Sequence, residues 1–416
     1  MAVRKASLGA IFLTIFLDLL GFGLVLPFLA AEARATFHVS AFTGTLLSAV
    51  YSAMQFLFIP VWGRLSDRVG RRPVLVWSVL ATAIGMVGLG TSLVFAQSVA
   101  WLFVARMFSG IATANLGTAS AYIADVTGPE DRAKGMGLIG IGFGLGFILG
   151  PSLGGPLAEI TIHGRAGAVP CFVAAGLSLV NFVWVVFGLP ESLPPEKRAP
   201  SKRRLSPIDV AAFREAFSLP GVGTAVVVNF VLLFAFTGME QTFRYFNEDT
   251  FGMGARDTGY LLAMIGVTAA VVQGGMRKLS GRFTEAQLIR AGSFLQAVAF
   301  AGFCGSPFAG RWLLYVSGMV LAIGNGLTQP NTSAYVSKRV AASEQGAMLG
   351  VSQAMASLAR VFGPAFGGFL YSALGSLAPY IASTFGMLLA FFLALRLVES
   401  GVVPAGEKAA PGDATT

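Results

Sequence analysis

Apolar residues run in long blocks along almost the whole chain, separated by short stretches where charge, glycine and proline collect. At about 20 apolar residues per membrane span, twelve blocks are long enough. They are Ser7–Ala31, Ala41–Trp62, Pro73–Phe95, Ala100–Tyr122, Gly135–Ile160, Gly167–Leu189, Gly221–Phe246, Asp257–Met276, Glu285–Ser306, Trp312–Val336, Gln345–Tyr371 and Leu377–Val398. The pattern predicts an all-α integral membrane protein with twelve transmembrane helices. Arg4 and Lys5 before the first block, and Ala31-Glu32-Ala33 after it, imitate a cleavable leader. The block is too long for a leader and further spans follow, so it is expected as a retained first helix.

The second half of the pattern repeats the first. At a constant offset of 213, Tyr122 falls on Tyr335, Gly137 on Gly350, Gly150-Pro151 on Gly363-Pro364 and Gly154-Gly155 on Gly367-Gly368. Slightly different offsets match Thr43-Gly44 to Thr258-Gly259 and Leu65, Ser66 and Arg68 to Leu279, Ser280 and Arg282. Two pseudo-symmetric six-helix bundles follow, residues 1–190 and 221–400, joined by a basic linker at 191–220 and ending in a disordered tail at 401–416. Within the linker, Val210, Phe213 and Phe217 recur at helical spacing after Ser206-Pro207. They predict a short amphipathic helix on the inner leaflet, with a plain flexible tether as the alternative.

Composition agrees: 55% of the residues are hydrophobic, only 12% are charged, and the mean hydropathy is +0.72. A soluble globule carries about 25% charged residues. The net charge of +9 does not point to nucleic acid, because the basic residues collect at the N-terminus and in alternate connections. Those connections and both termini are therefore expected in the cytosol, with the chain in the cell (inner) membrane. Cys171 and Cys304 fall inside predicted helices, the two histidines form no zinc pattern, and no phosphate-binding G-x-x-x-x-G-K-[ST] loop occurs. No metal, cofactor or ATP chemistry is implied, and the chain is not expected to be an enzyme.

Between the second and third blocks lies Gly63-Arg64-Leu65-Ser66-Asp67-Arg68-Val69-Gly70-Arg71-Arg72-Pro73. By itself this reads as a tight, positively charged cytosolic turn. It also resembles the motif A loop of the major facilitator superfamily, with every key position of G-x-L-S-D-R-x-G-R-R filled. Gly142, Gly146, Gly150, Pro151, Gly154 and Gly155 resemble motif C of that superfamily's drug/proton antiporters. Leu17 to Pro27 is similar to their first-helix motif, and Arg106 to Asp125 to the tetracycline-exporter branch. The resemblance implies the major facilitator fold and a monomer carrying protons against a small-molecule substrate by alternating access. It implies a cytosolic gate of Gly63, Asp67, Arg68, Gly70 and Arg71, with Asp125 paired to the arginines. It departs midway along the third helix, where tetracycline exporters carry an acid and this chain has Ile84, Gly85 and Met86.

Polar residues inside the apolar blocks are the candidate working parts, because a charge at the bilayer centre costs about 2.5–3.5 kcal/mol on insertion scales. Asp18 lies near mid-membrane, and Arg106 joins it in the proton-coupling site that the resemblance implies. A change in the burial of Asp18, or in its distance from Arg106, would load and unload a proton. Asn229, Glu240 and Arg244 share one face of the seventh helix, where Glu240 and Arg244 are spaced to pair locally. Asn325, Gln329 and Thr332 mark one face of the tenth, and Arg360 lies deep in the eleventh. Together they outline a substrate cavity. The glycines at every fourth position of the fifth helix leave a stripe on which another backbone packs closely. The function expected is proton-coupled export of small apolar or amphiphilic compounds. A dedicated metabolite, sugar or lipid exporter, and a transporter-like receptor or scaffold, are the alternatives.

Overall fold

The computed structural model describes residues 8–96, 98–128, 132–198, 210–340 and 345–398. Arg4, Lys5, the linker residues Lys202 to Arg204 with Ser206-Pro207, and the tail from Pro404 lie outside the described residues. Within them the chain forms fourteen α-helices and no β-strand. They are α1 Leu8–Phe37, α2 Ala41–Val69, α3 Arg71–Phe95, α4 Ala100–Ala112, α5 Leu116–Val126, α6 Arg132–Ala158, α7 Ala168–Gly188, α8 Val210–Ser218, α9 Val222–Phe251, α10 Ala255–Ser280, α11 Glu285–Ala309, α12 Arg311–Ser337, α13 Gln345–Leu374 and α14 Ala378–Ala394. With α4 and α5 forming one interrupted span, these give twelve crossings plus the short α8. Large apolar side chains such as Trp77, Phe187, Phe308 and Phe385 point outward from the bundle, where a bilayer would cover them.

Three elements differ from the sequence pattern. The fourth span breaks at Thr113–Asn115, where neither proline nor charge announces an interruption. The carbonyls released there are taken by side chains of neighbouring helices. Trp62 Nε1 donates to Ile111 O at 2.6 Å, Ser78 Oγ to Ala112 O at 2.7 Å and Gln55 Nε2 to Thr113 O at 3.3 Å. Buried backbone acceptors must be satisfied somewhere, and here α2 and α3 replace the helix ladder.

The basic turn is the second difference. It is almost entirely helical: α2 runs to Val69, α3 starts at Arg71, and Gly70 alone connects them at φ +106°. That left-handed conformation suits glycine. The Glu191 carboxylate makes the abrupt start of α3 tolerable by accepting from the Arg71 and Arg72 amides at 2.9 and 3.2 Å, two donors a helix start otherwise leaves open. The third difference is α8. It is helical as expected, but it packs on α9 and α13, burying Ala212 and Ala216, with Phe213 partly buried and Phe217 52% exposed.

Glycines set the helix spacing, and the internal repeat is visible in where they touch. A Cβ on Gly150 of α6 would lie 2.6 Å from Gly23 Cα of α1, and one on Gly146 3.0 Å from Leu19 O. In the second bundle, a Cβ on Gly367 of α13 would lie 2.8 Å from Gly238 Cα of α9. The motif C stripe therefore joins helices within one bundle. The adjacent position joins the bundles: Gly155 faces Ala255 O of α10 at 2.6 Å, and Gly368 faces Phe42 Cα of α2 at 3.1 Å, again measured from an added Cβ. Farther toward the basic turn, an added Cβ on Gly140 or Gly144 of α6, or on Gly274 of α10, meets nothing within 4 Å. The bundles thus touch at the end opposite the basic turn and part toward it.

Candidate functional site

Asp18 is the eleventh residue of α1, half-buried midway along the bundle. Asn181 of α7 donates to its Oδ1 at 3.0 Å and Asn115 to its Oδ2 at 3.4 Å. The break between α4 and α5 is what turns Asn115 toward α1. Arg106 is not its partner. The guanidinium is fully buried inside the first bundle, lies 4.2 Å from the Tyr51 ring centroid, and has no hydrogen-bond acceptor at any of its three nitrogens. Asp18 and Arg106, which the resemblance groups in one coupling site, make no direct contact, because α4 carries Arg106 beneath Tyr51. Tyr51 is their common neighbour, within electrostatic reach of Asp18, Arg106 and Arg360. Its hydroxyl is 2.6 Å from Thr113 Oγ1, and its ring stacks on Phe22 at 5.5 Å.

In the second bundle Glu240 and Arg244 do not pair with each other. Arg244 binds Glu248, one turn further on, at 2.9 Å and Met253 O at 3.1 Å, while Glu240 lies within electrostatic reach of Arg360 of α13. Glu240 and Glu248 both satisfy the four-residue spacing to Arg244, so only the surroundings select between them. Arg360 is half-buried and bonded weakly to Ser357 Oγ at 3.5 Å. Asn325 is half-buried, Gln329 exposed, and Asn229 buried at 9% exposure. Thr332 is buried and donates back to Thr328 O. Ser48 of α2 donates to Gln241 Oε1 of α9 at 2.5 Å, tying the two bundles beside this layer.

At the basic end Arg71 is the hub. Its side chain contacts Asp67 Oδ1 at 2.5 Å, Ser66 Oγ at 2.7 Å and Asp125 Oδ2 at 3.1 Å, and the residue is only 8% exposed. Arg68 is exposed and Gly63 half-buried. Every one of these contacts stays inside the first bundle.

The opposite end is cross-linked. Arg34 of α1 meets Asp249 of α9 at 2.9 Å, Asp249 accepts from Tyr371 of α13 at 2.7 Å, and Tyr245 of α9 donates to Ala30 O at 2.6 Å. Glu159, just after α6, pairs with Arg256 of α10 at 3.5 Å. Glu32, at 7% exposure, sits in the field of Arg244 and Glu248. Asn115, Asn181, Tyr51, Glu191 and Glu32 escaped sequence reasoning. The asparagines were discoverable as amides inside apolar blocks, whereas Tyr51 and Glu191 carried no local signal.

The sequence model of the Major Facilitator Superfamily matches residues 11–311 and 288–414. The chain is 34% identical to the class C tetracycline resistance protein of Escherichia coli, covering 87% of this chain and 89% of that one. It is 27% identical to multidrug resistance protein 2 of Bacillus subtilis (strain 168), covering 92% of each. The crystal structure of the human organic anion transporter MFSD10 superposes with a TM-score of 0.70 at 26% identity, covering 95% of this chain and all of that one.

Proposed function

As this chain belongs to the major facilitator superfamily, we propose that it is a proton-coupled antiporter that exports small apolar or amphiphilic compounds, with Asp18 as the proton-carrying carboxylate. Its matches are transporters rather than enzymes, and it is itself a multi-pass membrane transporter. The observation that carries the proton assignment is the setting of Asp18. It is an acid at mid-membrane with both oxygens held by neutral amides and no basic side chain bonded to it. An asparagine would serve packing at lower cost, so the carboxyl is there to titrate.

The basic end faces the cytosol, as the charge distribution favours, with both termini on that side, in the cell membrane and as a monomer. The parted bundles are then an inward-open state. Asp18 releases its proton to the cytosol, the substrate enters between Glu240, Arg360 and Asn325, and closure of the basic end with opening of the other carries the substrate out. Asp67 and Arg71, now paired within one bundle, belong to the gate that forms on that closure.

Substrate-induced proton release from the detergent-solubilised protein, with ethidium and tetraphenylphosphonium as probes, tests the assignment. Release is expected from wild type and not from Asp18→Asn, with probe binding retained. Full release from the variant would move coupling to Glu240. A second reading, export of amphiphilic organic anions, is favoured by Arg106, a buried guanidinium without an acceptor. Competition between anionic and cationic amphiphiles of equal size separates the two.

A further inference from the structure

We propose that Asn115 and Asn181 are positioning residues that set the proton affinity of Asp18, and that the break in the fourth span exists to deliver Asn115. This rests on Asp18 being the proton site. The orientation of each amide follows from its other partner. Asn181 Nδ2 also lies 3.1 Å from Thr14 O, a carbonyl that only accepts, so the nitrogen must face it. Asn115 Nδ2 lies 2.5 Å from Ser78 Oγ, whose own proton goes to Ala112 O at 2.7 Å, so the hydroxyl must accept there as well. Each amide therefore spends one N–H on a fixed anchor and aims the other at a different oxygen of Asp18.

Two donors aimed at two oxygens fit an ionised carboxylate. The neutral acid turns one oxygen into a donor that needs an acceptor, and it meets an N–H on either side. The acceptor at hand is Asn181 Oδ1, buried and without a partner. Protonation of Asp18 therefore requires Asn181 to rotate or α7 to shift, whereas release lets the observed geometry re-form. The anchor of Asn115 is part of the same device. Ser78 binds the Ala112 carbonyl that the helix break released, so the break and the carboxylate share one hydrogen-bonded chain from α3 through α4 to α1. Because asparagine does not titrate near neutral pH, these groups tune the proton without competing for it.

Infrared difference titration of the purified full-length protein reads Asp18 directly, as the carboxylic C=O band present in wild type and missing in Asp18→Asn. A hydrogen bond to a charged group contributes about 1.5–3 kcal/mol, which corresponds to roughly one to two pH units. Asn115→Leu and Asn181→Leu are each expected to move the band's midpoint to higher pH by about that amount. Asn331→Leu, a control at a buried asparagine of the second bundle that donates to Leu327 O, should leave it in place. Should a leucine variant not purify in folded form, the alanine variant is read by the same criterion. An unchanged midpoint at both positions, or an equal shift in the control, overturns the proposal. Normal proton release by Asp18→Asn would instead overturn the proton-site reading, whatever the midpoints show.

Discussion

The two ends of the bundle solve opposite problems with the same residue types. At the basic end Arg71, Asp67 and Asp125 form a compact network inside one bundle, with the arginine buried and the two acids partly open to solvent. At the other end Arg34, Asp249, Tyr371, Glu159 and Arg256 bridge the bundles, and the Arg34 and Asp249 side chains are 41% and 37% exposed. The first arrangement stabilises a bundle; the second biases how two bundles sit. Exposed ion pairs contribute about 0–1 kcal/mol each. Such contacts hold a state without trapping it, which suits a gate that must open on every cycle.

The glycine contacts make the same division in stronger form, and breaking them should give the largest effect. Gly155→Val would push a side chain into the Ala255 carbonyl across the bundle interface, where close-packed backbones leave no room. Spin labels at Thr161 and Phe308, in a protein with Cys171 and Cys304 replaced, should then report a longer distance between the bundles, with transport down at least about tenfold. An unchanged distance distribution with normal transport would show that closure there does not need the glycine contact. Gly150→Val, by contrast, meets α1 of its own bundle and should lower the folded yield instead.

Next in size is Arg71→Ala. Removing the hub leaves Asp67 and Asp125 facing each other without their shared cation, at a cost of about 2 kcal/mol or more. The variant should melt several degrees lower while the Thr161–Phe308 distance stays as in wild type. A changed distance with unchanged melting would mean that Arg71 already takes part in the gate in this state. The smallest effect belongs to Asp249→Asn. It removes the charge opposite Arg34 but keeps an acceptor for Tyr371, and should shift the population toward opening of that end only a few-fold, by up to about 1 kcal/mol. A full switch to the open form would show that this pair alone holds the end closed.

Much of this was legible in the sequence. Twelve apolar blocks predicted twelve crossings because a bilayer of fixed thickness reduces the folding problem to length and polarity. The repeat at offset 213 predicted matching packing, and Gly155 and Gly368, one repeat apart, do each face a helix of the other bundle. Asp18 and Arg106 stood out because a charge in an apolar block is rare, and Asp125 does pair with Arg71.

Partner choice was decided by tertiary structure. Arg244 had an acid four residues away on either side and binds Glu248, while Glu240 is left in the field of Arg360. Asp18 was expected beside Arg106 and instead meets two asparagines, one delivered by a helix break whose satisfaction depends on Trp62, Ser78 and Gln55. Which side of the bundle stands open is likewise absent from the linear pattern. Hydropathy is a property of each segment taken alone and survives reading one residue at a time. Hydrogen-bond direction, burial of a charge and the gap between two bundles depend on groups far apart in the chain, and they take definite values only once the helices have packed.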